Sequence, residues 1–213
     1  MNLNPLSAVI FDYGGVMAKS PLGRVELLAE LLNADPEVVI SLILGTESTE
    51  PNPWFEAEIG KQPLDEEFAR KMRRVFSKKG VHFDLKIFRP WVTEAVNEPD
   101  EIMERLVRKL KSEGVSVALL TNAVPEFWPV IETTINVDLF DVVVDSSKVG
   151  LRKPDKRIYE LTASLLNIDV SQCLMIDDLE HNVLGAKNAG MEGLLFVDSN
   201  LVESEVLKYF SFS

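Results

Sequence analysis

Cysteine, histidine, positive charge and long apolar runs are all scarce in this chain. The single cysteine, Cys173 in "QCLMID", cannot close an intramolecular disulfide, and a lone thiol in an apolar stretch reads as a small core residue in a reducing compartment. Of the two histidines, His181 falls in the first turn of a predicted helix as a solvated residue, and His82 has no partner in view. The longest apolar run, "VVISLIL", is far too short to span a bilayer, and no basic region precedes the apolar residues of "MNLNPLSAVIF". A membrane role is therefore not expected, and the cytoplasm is the expected location. With a formal net charge of -12, the chain would repel nucleic-acid phosphates unless a basic stripe reversed the field. Only "RKMRRVFSKKG", residues 70–80, is a candidate stripe. Its Met72, Val75 and Phe76 have helical spacing, so it reads as an amphipathic helix with a solvated basic face. No nucleic-acid partner is expected, and an anionic substrate would need cations supplied locally.

Apolar residues make up 46% of the 213-residue chain, enough to bury a substantial core. Five short apolar runs read as buried strands: "AVIF" before Asp12, "VSVALL" before Thr121, "DVVV" before Asp145, "CLMI" before Asp177 and "GLLFV" before Asp198. Helices alternate with them, one from Pro99 to Gly114, one from Pro154 towards Asn167 and one ending at Gly190. Nearly continuous apolar strands separated by helices predict an α/β fold, a Rossmann-like parallel sheet with helices on both faces. Such sheets carry their chemistry at the carboxyl ends of the strands.

One interval breaks this rhythm. A βαβ unit needs only about 30 residues, yet residues 18–96 follow the first strand before the alternation resumes. Helix starts at Pro21 after Ser20, at Pro36 after Asp35 and at Asp65, with a further helix near "WVTEAVN", mark this interval as an inserted α-helical cap. The expected organisation is a core of residues 1–17 and 97–213 and a cap of residues 18–96. The cap leaves directly after "FDYGGV", so its connections pass over the strand end that carries Asp12, where they could exclude water.

Polar signals gather where the strands end: Asp12, Thr121 with Asn122, Lys153 in "GLRKPDKRIY", and Asp177 with Asp178 in "MIDDLEHN". Taken singly these are ordinary turn and cap residues. Together they make a phosphate site. Carboxylates on two strands can share a hard cation such as Mg²⁺, a lysine adds a point charge for phosphate, and a hydroxyl beside backbone N–H groups can hold further oxygens. Asp12, kept ionised, could then act as nucleophile.

These motifs, in this order, resemble the haloacid dehalogenase-like superfamily, most of whose members are Mg²⁺-dependent phosphatases acting through an aspartyl phosphate. The likeness covers residues 7–17 and about 97–198, and "GLRKPDKRIY" and "IDDLEHNVLGA" are its specific signals. "FDxGG" and "LRKPD" look most like the branch of small sugar-phosphate phosphatases and the amino-terminal phosphatase domain of soluble epoxide hydrolases. The resemblance implies Asp12 as nucleophile and Asp12, Gly14, Asp177 and Asp178 around Mg²⁺. It implies Thr121 and Asn122 on the phosphate, Lys153 neutralising it, and Asn182 in support. The implied substrate is a small phosphorylated metabolite such as a sugar phosphate.

One departure matters. Typical members carry a second aspartate at the position of Gly14, where it protonates the leaving group, a contribution of about 10²- to 10⁴-fold. Three answers stand open: a substrate with a good leaving group, a substitute acid from the cap, or a site that binds without turnover. Glu58 in "WFEAEIG" is the candidate substitute, with Trp54 and Phe55 as an apolar wall against substrate, while Trp91 and Trp128 read as packing residues. A metal-free 2-haloacid dehalogenase also lacks the second aspartate, but that reading leaves the adjacent pair Asp177 and Asp178 without a purpose.

Overall fold

The five apolar runs become five parallel strands: β1 (Ala8–Phe11), β2 (Ser116–Thr121), β3 (Val142–Asp145), β4 (Cys173–Asp177) and β5 (Glu192–Leu195). In the computed structural model, which describes residues 5–45, 52–95 and 97–210, they lie in the order β3-β2-β1-β4-β5. Residues 1–4, 46–51, 96 and 211–213 of the expected core and cap lie outside the described residues. Strand side chains alternate between faces, so Val9 and Phe11 join one buried cluster and Ala8 and Ile10 the other.

Between β1 and β2 run α1 (Val25–Leu31), α2 (Pro36–Leu44), α3 (Pro53–Glu58), α4 (Glu66–Ser77), α5 (Leu85–Ala95) and α6 (Glu101–Ser112). Beyond β2 come α7 (Trp128–Thr134), α8 (Ser146–Val149), α9 (Lys156–Leu166), α10 (Glu180–Ala189) and α11 (Ser199–Tyr209). Residues of α9 and α10, among them Ile158, Tyr159 and Ala186, cover the Ala8 and Ile10 face. On the other face α6 and α11 share one continuous core with the inserted helices, from Val9 and Phe11 through Leu106 and Val202 to Phe68 and Phe83. No helix among the described residues is long and apolar enough to cross a membrane.

Several boundaries differ from the sequence reading. The helix expected from Pro99 starts at Glu101, because Asp100 takes the cap position and accepts from the N–H groups of Ile102 and Met103. Asp155 likewise caps α9 one residue after Pro154. The helix near "WVTEAVN" begins earlier, at Leu85, and runs through Pro90, stabilised by burial of Phe88, Trp91 and Val92. The fifth strand stops at Leu195 rather than at Val197, and Asp198 caps α11. Helices α3, α7, α8 and α11 were not anticipated.

The two chain crossings that bound the insertion pair with each other. Ala18 and Pro99 form an antiparallel bridge, Lys19 N donates to Glu98 O at 3.0 Å and Asp100 N to Met17 O at 2.8 Å. At its far end the insertion docks on the strand ends. Ser146 Oγ donates to the Glu58 carbonyl at 2.5 Å and accepts from Ala123 N at 3.0 Å. Leu64 N donates to the Glu126 carboxylate at 2.8 Å. Gly60 sits here with φ +73, so close that an added Cβ would lie 2.3 Å from the Ser147 carbonyl oxygen. Gly60→Ala adds overpacking to a left-handed backbone, and it should lower unfolding free energy in urea by about 1–3 kcal/mol.

Candidate active site

Register is what brings the two main carboxylates together. Phe11 on β1 is paired with Ile176 on β4, so the residues that follow, Asp12 and Asp177, stand side by side at the ends of neighbouring strands, which are spaced about 4.8 Å apart across the ladder. Both are buried, Asp177 completely. Side-by-side buried carboxylates repel, and the structure answers with Lys153, from the loop before α9, which is itself fully buried. Its Nζ lies 2.7 Å from Asp12 Oδ1, 2.6 Å from Asp177 Oδ2 and 3.1 Å from the Leu120 carbonyl. That matches the three donors of an ammonium group. Burial works against the Lys153 charge, but Asp12 and Asp177 more than offset it and hold its pKa above the usual lysine value.

Asp178 adds a third carboxylate. One oxygen from each of Asp12, Asp177 and Asp178 lies within 4.8 Å of the others. Asp178 presses against the loop after β1, where a Cβ on Gly15 (φ +91) would fall 2.1 Å from its Oδ2, so only glycine fits. Burial, then the charge of Asp177, pushes Asp178 up to about 6. Burial also raises Asp12 well above the ordinary aspartate value, with Asp177 and Asp178 adding to the rise and Lys153 opposing it. Three clustered carboxylates therefore exceed what one lysine neutralises. An all-oxygen donor set with excess negative charge suits a hard divalent cation, so these residues fit Mg²⁺. Gly14 lines the same cavity beside Asp12.

The surrounding polar residues hold this arrangement in place. Asp177 Oδ1 accepts from Leu179 N and from Asn182 Nδ2, both at 3.0 Å. Asn182 Oδ1 is buried without a partner among the described residues. Thr121 is buried at the end of β2 and faces the cavity. Asn122 also lines it, but its side chain clamps the backbone of Lys153, accepting from Lys153 N at 2.9 Å and donating to Lys153 O at 3.1 Å.

Asp12 opens onto a cavity with about 950 Å³ of empty space, solvent at its mouth included. The insertion forms much of the wall. Trp54 and Glu58, one turn apart on α3, share a face. Trp54 meets Phe88 edge-on at 5.5 Å and Phe127 at 6.0 Å. The Glu58 carboxylate is buried and accepts from Arg152 Nε at 2.7 Å. Burial raises its pKa, and Arg152 opposes the rise. Arg152 also lies over the Phe55 ring at 3.9 Å.

Arg152, Gly15 and Ser146 were not anticipated. Arg152 adjoins Lys153 in "LRKP", which was a usable signal, whereas the partnership of Ser146 with Glu58 is long-range and left none. Trp91 packs as expected, donating to the Arg24 carbonyl at 2.8 Å, but also reaches the cavity. Trp128 pairs with Glu132 and Lys148. Cys173 is buried at the start of β4, His181 is exposed at the cavity mouth, and His82 is exposed elsewhere.

A profile of the family described as haloacid dehalogenase-like hydrolase matches residues 6–190. The chain belongs to that family. It is 26% identical over 211 residues to phosphatase MT3486 of Mycobacterium tuberculosis, covering 95% of this chain and 93% of that one. It is 37% identical over 102 residues to the sesquiterpene phosphatase astK of Aspergillus oryzae, covering 47% and 52% of the two chains. A longer mouse relative, acyl-CoA dehydrogenase family member 10, is 31% identical over 194 residues; these cover 86% of this chain but only 17% of that protein. A solved HAD-like hydrolase from Porphyromonas gingivalis shares the fold, with a TM-score of 0.67 over 96% of this chain and 99% of that one at 18% identity.

Lys153→Met removes the one cation held between Asp12 and Asp177. Urea titration without added metal should show a loss of about 3–5 kcal/mol, the usual consequence of leaving buried charge unpaired.

Proposed function

We propose that this hydrolase is a Mg²⁺-dependent phosphatase that releases phosphate from a small phosphorylated metabolite, with Asp12 as the nucleophile. The observation that carries the reading is the carboxylate cluster of Asp12, Asp177 and Asp178 around a buried lysine at one end of the cavity. The printed names of the Mycobacterium and Aspergillus relatives as phosphatases agree with it. Asp12, Asp177 and Asp178, with the Gly14 carbonyl, would hold Mg²⁺, which when bound supplies positive charge for the phosphate oxygens.

Among the described residues, the Asp12 side chain meets Tyr13 N and Lys153 Nζ through Oδ1, so Oδ2 would be the oxygen that attacks phosphorus. Its lone pair forms the new P–O bond while the ester P–O bond breaks, and the ester oxygen departs with that electron pair as an anion, which solvent water protonates after it has left. Lys153 stabilises the charge that gathers on the transferred group, and Thr121 with the backbone after β2 binds its oxygens. Water then attacks phosphorus, the Asp12–phosphate bond breaks, and Asp12 returns to its carboxylate as inorganic phosphate leaves. The insertion, docked at Glu58 and Gly60, limits the water that could compete before this second step.

Residue 14 has no side chain to donate the proton. The enzyme therefore takes an ester with a weakly basic leaving group, and the buried Glu58 belongs to the cavity wall, tied to Arg152. Gly14 also favours one rival reading, a site that binds a phosphorylated ligand without cleaving it. Assay of aryl and alkyl phosphates with and without Mg²⁺ separates the two. Metal-dependent phosphate release, abolished by Asp12→Asn and by chelation with EDTA, is the expected result; binding without any release supports the rival.

Restoring an acid is a sharper probe. Gly14→Asp should raise kcat about 10²-fold or more on alkyl phosphates and change little on p-nitrophenyl phosphate, whose leaving group needs no proton. Parallel changes on both substrates would remove the leaving-group argument.

A further inference from the structure

Resting on the phosphatase reading, we infer that the organic group of the substrate is an uncharged apolar one, an aryl or hydrocarbon moiety, and not a sugar. The polar lining of the cavity is concentrated at one end, around Asp12, Thr121, Lys153 and Asp178. The wall that would face the rest of the substrate is built from Leu44, Trp54, Phe88, Trp91, Phe127 and Ile131. These come from both the insertion and the core, so the chamber exists because the two are packed together.

The charged groups in that wall already have partners. Arg152 donates to Glu58 at 2.7 Å and stacks on Phe55 at 3.9 Å, a pair that neutralises itself. Ser20, at the rim, accepts from Leu22 N and is engaged with Asp178. Buried Asn52 is turned away from the chamber, donating to the carbonyls of Leu42 and Ile43 at 3.3 and 3.0 Å and accepting from Trp54 N at 2.9 Å. It fastens the end of α2 to the start of α3, and so holds Leu44 and Trp54 in the wall. Of the other polar residues that line the cavity, Asn122 and Asn182 are tied to Lys153 and Asp177 at the polar end, where Asn182 Oδ1 keeps a free acceptor among the described residues, Tyr13 is bonded to Thr134, and His181 is exposed at the mouth.

A sugar brings several hydroxyls, and each loses its water on entry unless the wall offers a donor or acceptor in exchange. A wall of aromatic and aliphatic carbon offers none, but it does favour every apolar group that leaves water for it. A phenolic or enolic ester would also satisfy Gly14, because its leaving oxygen departs without a proton donor. Both ends of the cavity thus select the same kind of molecule, and the sugar phosphate implied by the family branch gives way to it.

A series of 4-n-alkylphenyl phosphates tests this directly, since chain length varies while leaving-group basicity stays nearly constant. With Mg²⁺ present, kcat/KM should rise about fourfold per carbon, or about 250-fold over the four carbons from phenyl to 4-butylphenyl phosphate. Leu44→Asn should flatten that slope. A flat series, or glucose 1-phosphate cleaved faster than 4-butylphenyl phosphate, would overturn the inference while leaving the phosphatase reading intact. If no ester is cleaved, that reading fails instead, and calorimetry with phosphonates still reports on the chamber. Tighter binding of octylphosphonate than of methylphosphonate supports the apolar assignment, and equal binding overturns it.

Discussion

Two buried carboxylates at adjacent strand ends cannot coexist unless something positive stands between them, and the rest of the site is arranged around that requirement. Parallel pairing of β1 with β4 fixes Asp12 beside Asp177, and nothing in the strands themselves relieves the repulsion. Relief comes from Lys153, whose own burial would be costly without both carboxylates. Each group is therefore tolerable only because of the others. The loop carrying Lys153 is clamped in turn by Asn122 from the end of β2, so three strand ends are tied into one electrostatic unit. Asp178 then leaves the cluster with surplus negative charge, which makes a divalent cation a natural completion of the site.

A phosphate bound at such a centre has its organic part outside the sheet, and the insertion determines what surrounds it. The insertion is not a loosely tethered lid in this structure. Its core is continuous with the sheet face that holds Val9 and Phe11, its crossings pair at Ala18 and Pro99, and its far end contacts Ser146 and Ser147 through Glu58 and Gly60. Interdigitation of this kind makes the chamber wall a property of the folded chain. Arg152 illustrates the coupling: it belongs to the core, next to Lys153, yet its partners Glu58 and Phe55 belong to the insertion.

The parallel sheet, the sites of Asp12, Thr121, Lys153 and Asp177, and the helical interruption were all legible in the sequence, because each leaves a local trace. A strand buried on both faces is a continuous apolar run, and the residue that ends it is polar. Helix ends were less legible where a capping aspartate competed with a neighbouring proline, as at Asp100 and Asp155. What the sequence did not disclose was pairing at long range: Asn122 with the Lys153 backbone, Glu58 with Arg152, and Gly15 against Asp178. Those contacts depend on which elements become neighbours, and no spacing rule reports that. Asn122 shows the consequence most plainly. By resemblance its side chain serves the phosphate, whereas here both its oxygen and its nitrogen are engaged by Lys153.

Gly14 and the apolar chamber bear on one question from opposite sides. On the phosphatase reading, an acid at residue 14 would let the site expel strongly basic alkoxides, and glycine there would confine fast turnover to leaving groups that are stable as anions. Sugars esterified at ordinary hydroxyls are poor in that respect, and they are also the molecules that a carbon-lined wall desolvates without compensation. Aromatic and conjugated alcohols are better on both counts: their oxygen departs more readily, and their carbon skeleton gains from burial against Trp54, Phe88 and Phe127. The missing carboxylate therefore need not be read as damage to a general phosphatase. On the phosphatase reading, the reacting end and the apolar wall of the insertion would select the same substrates.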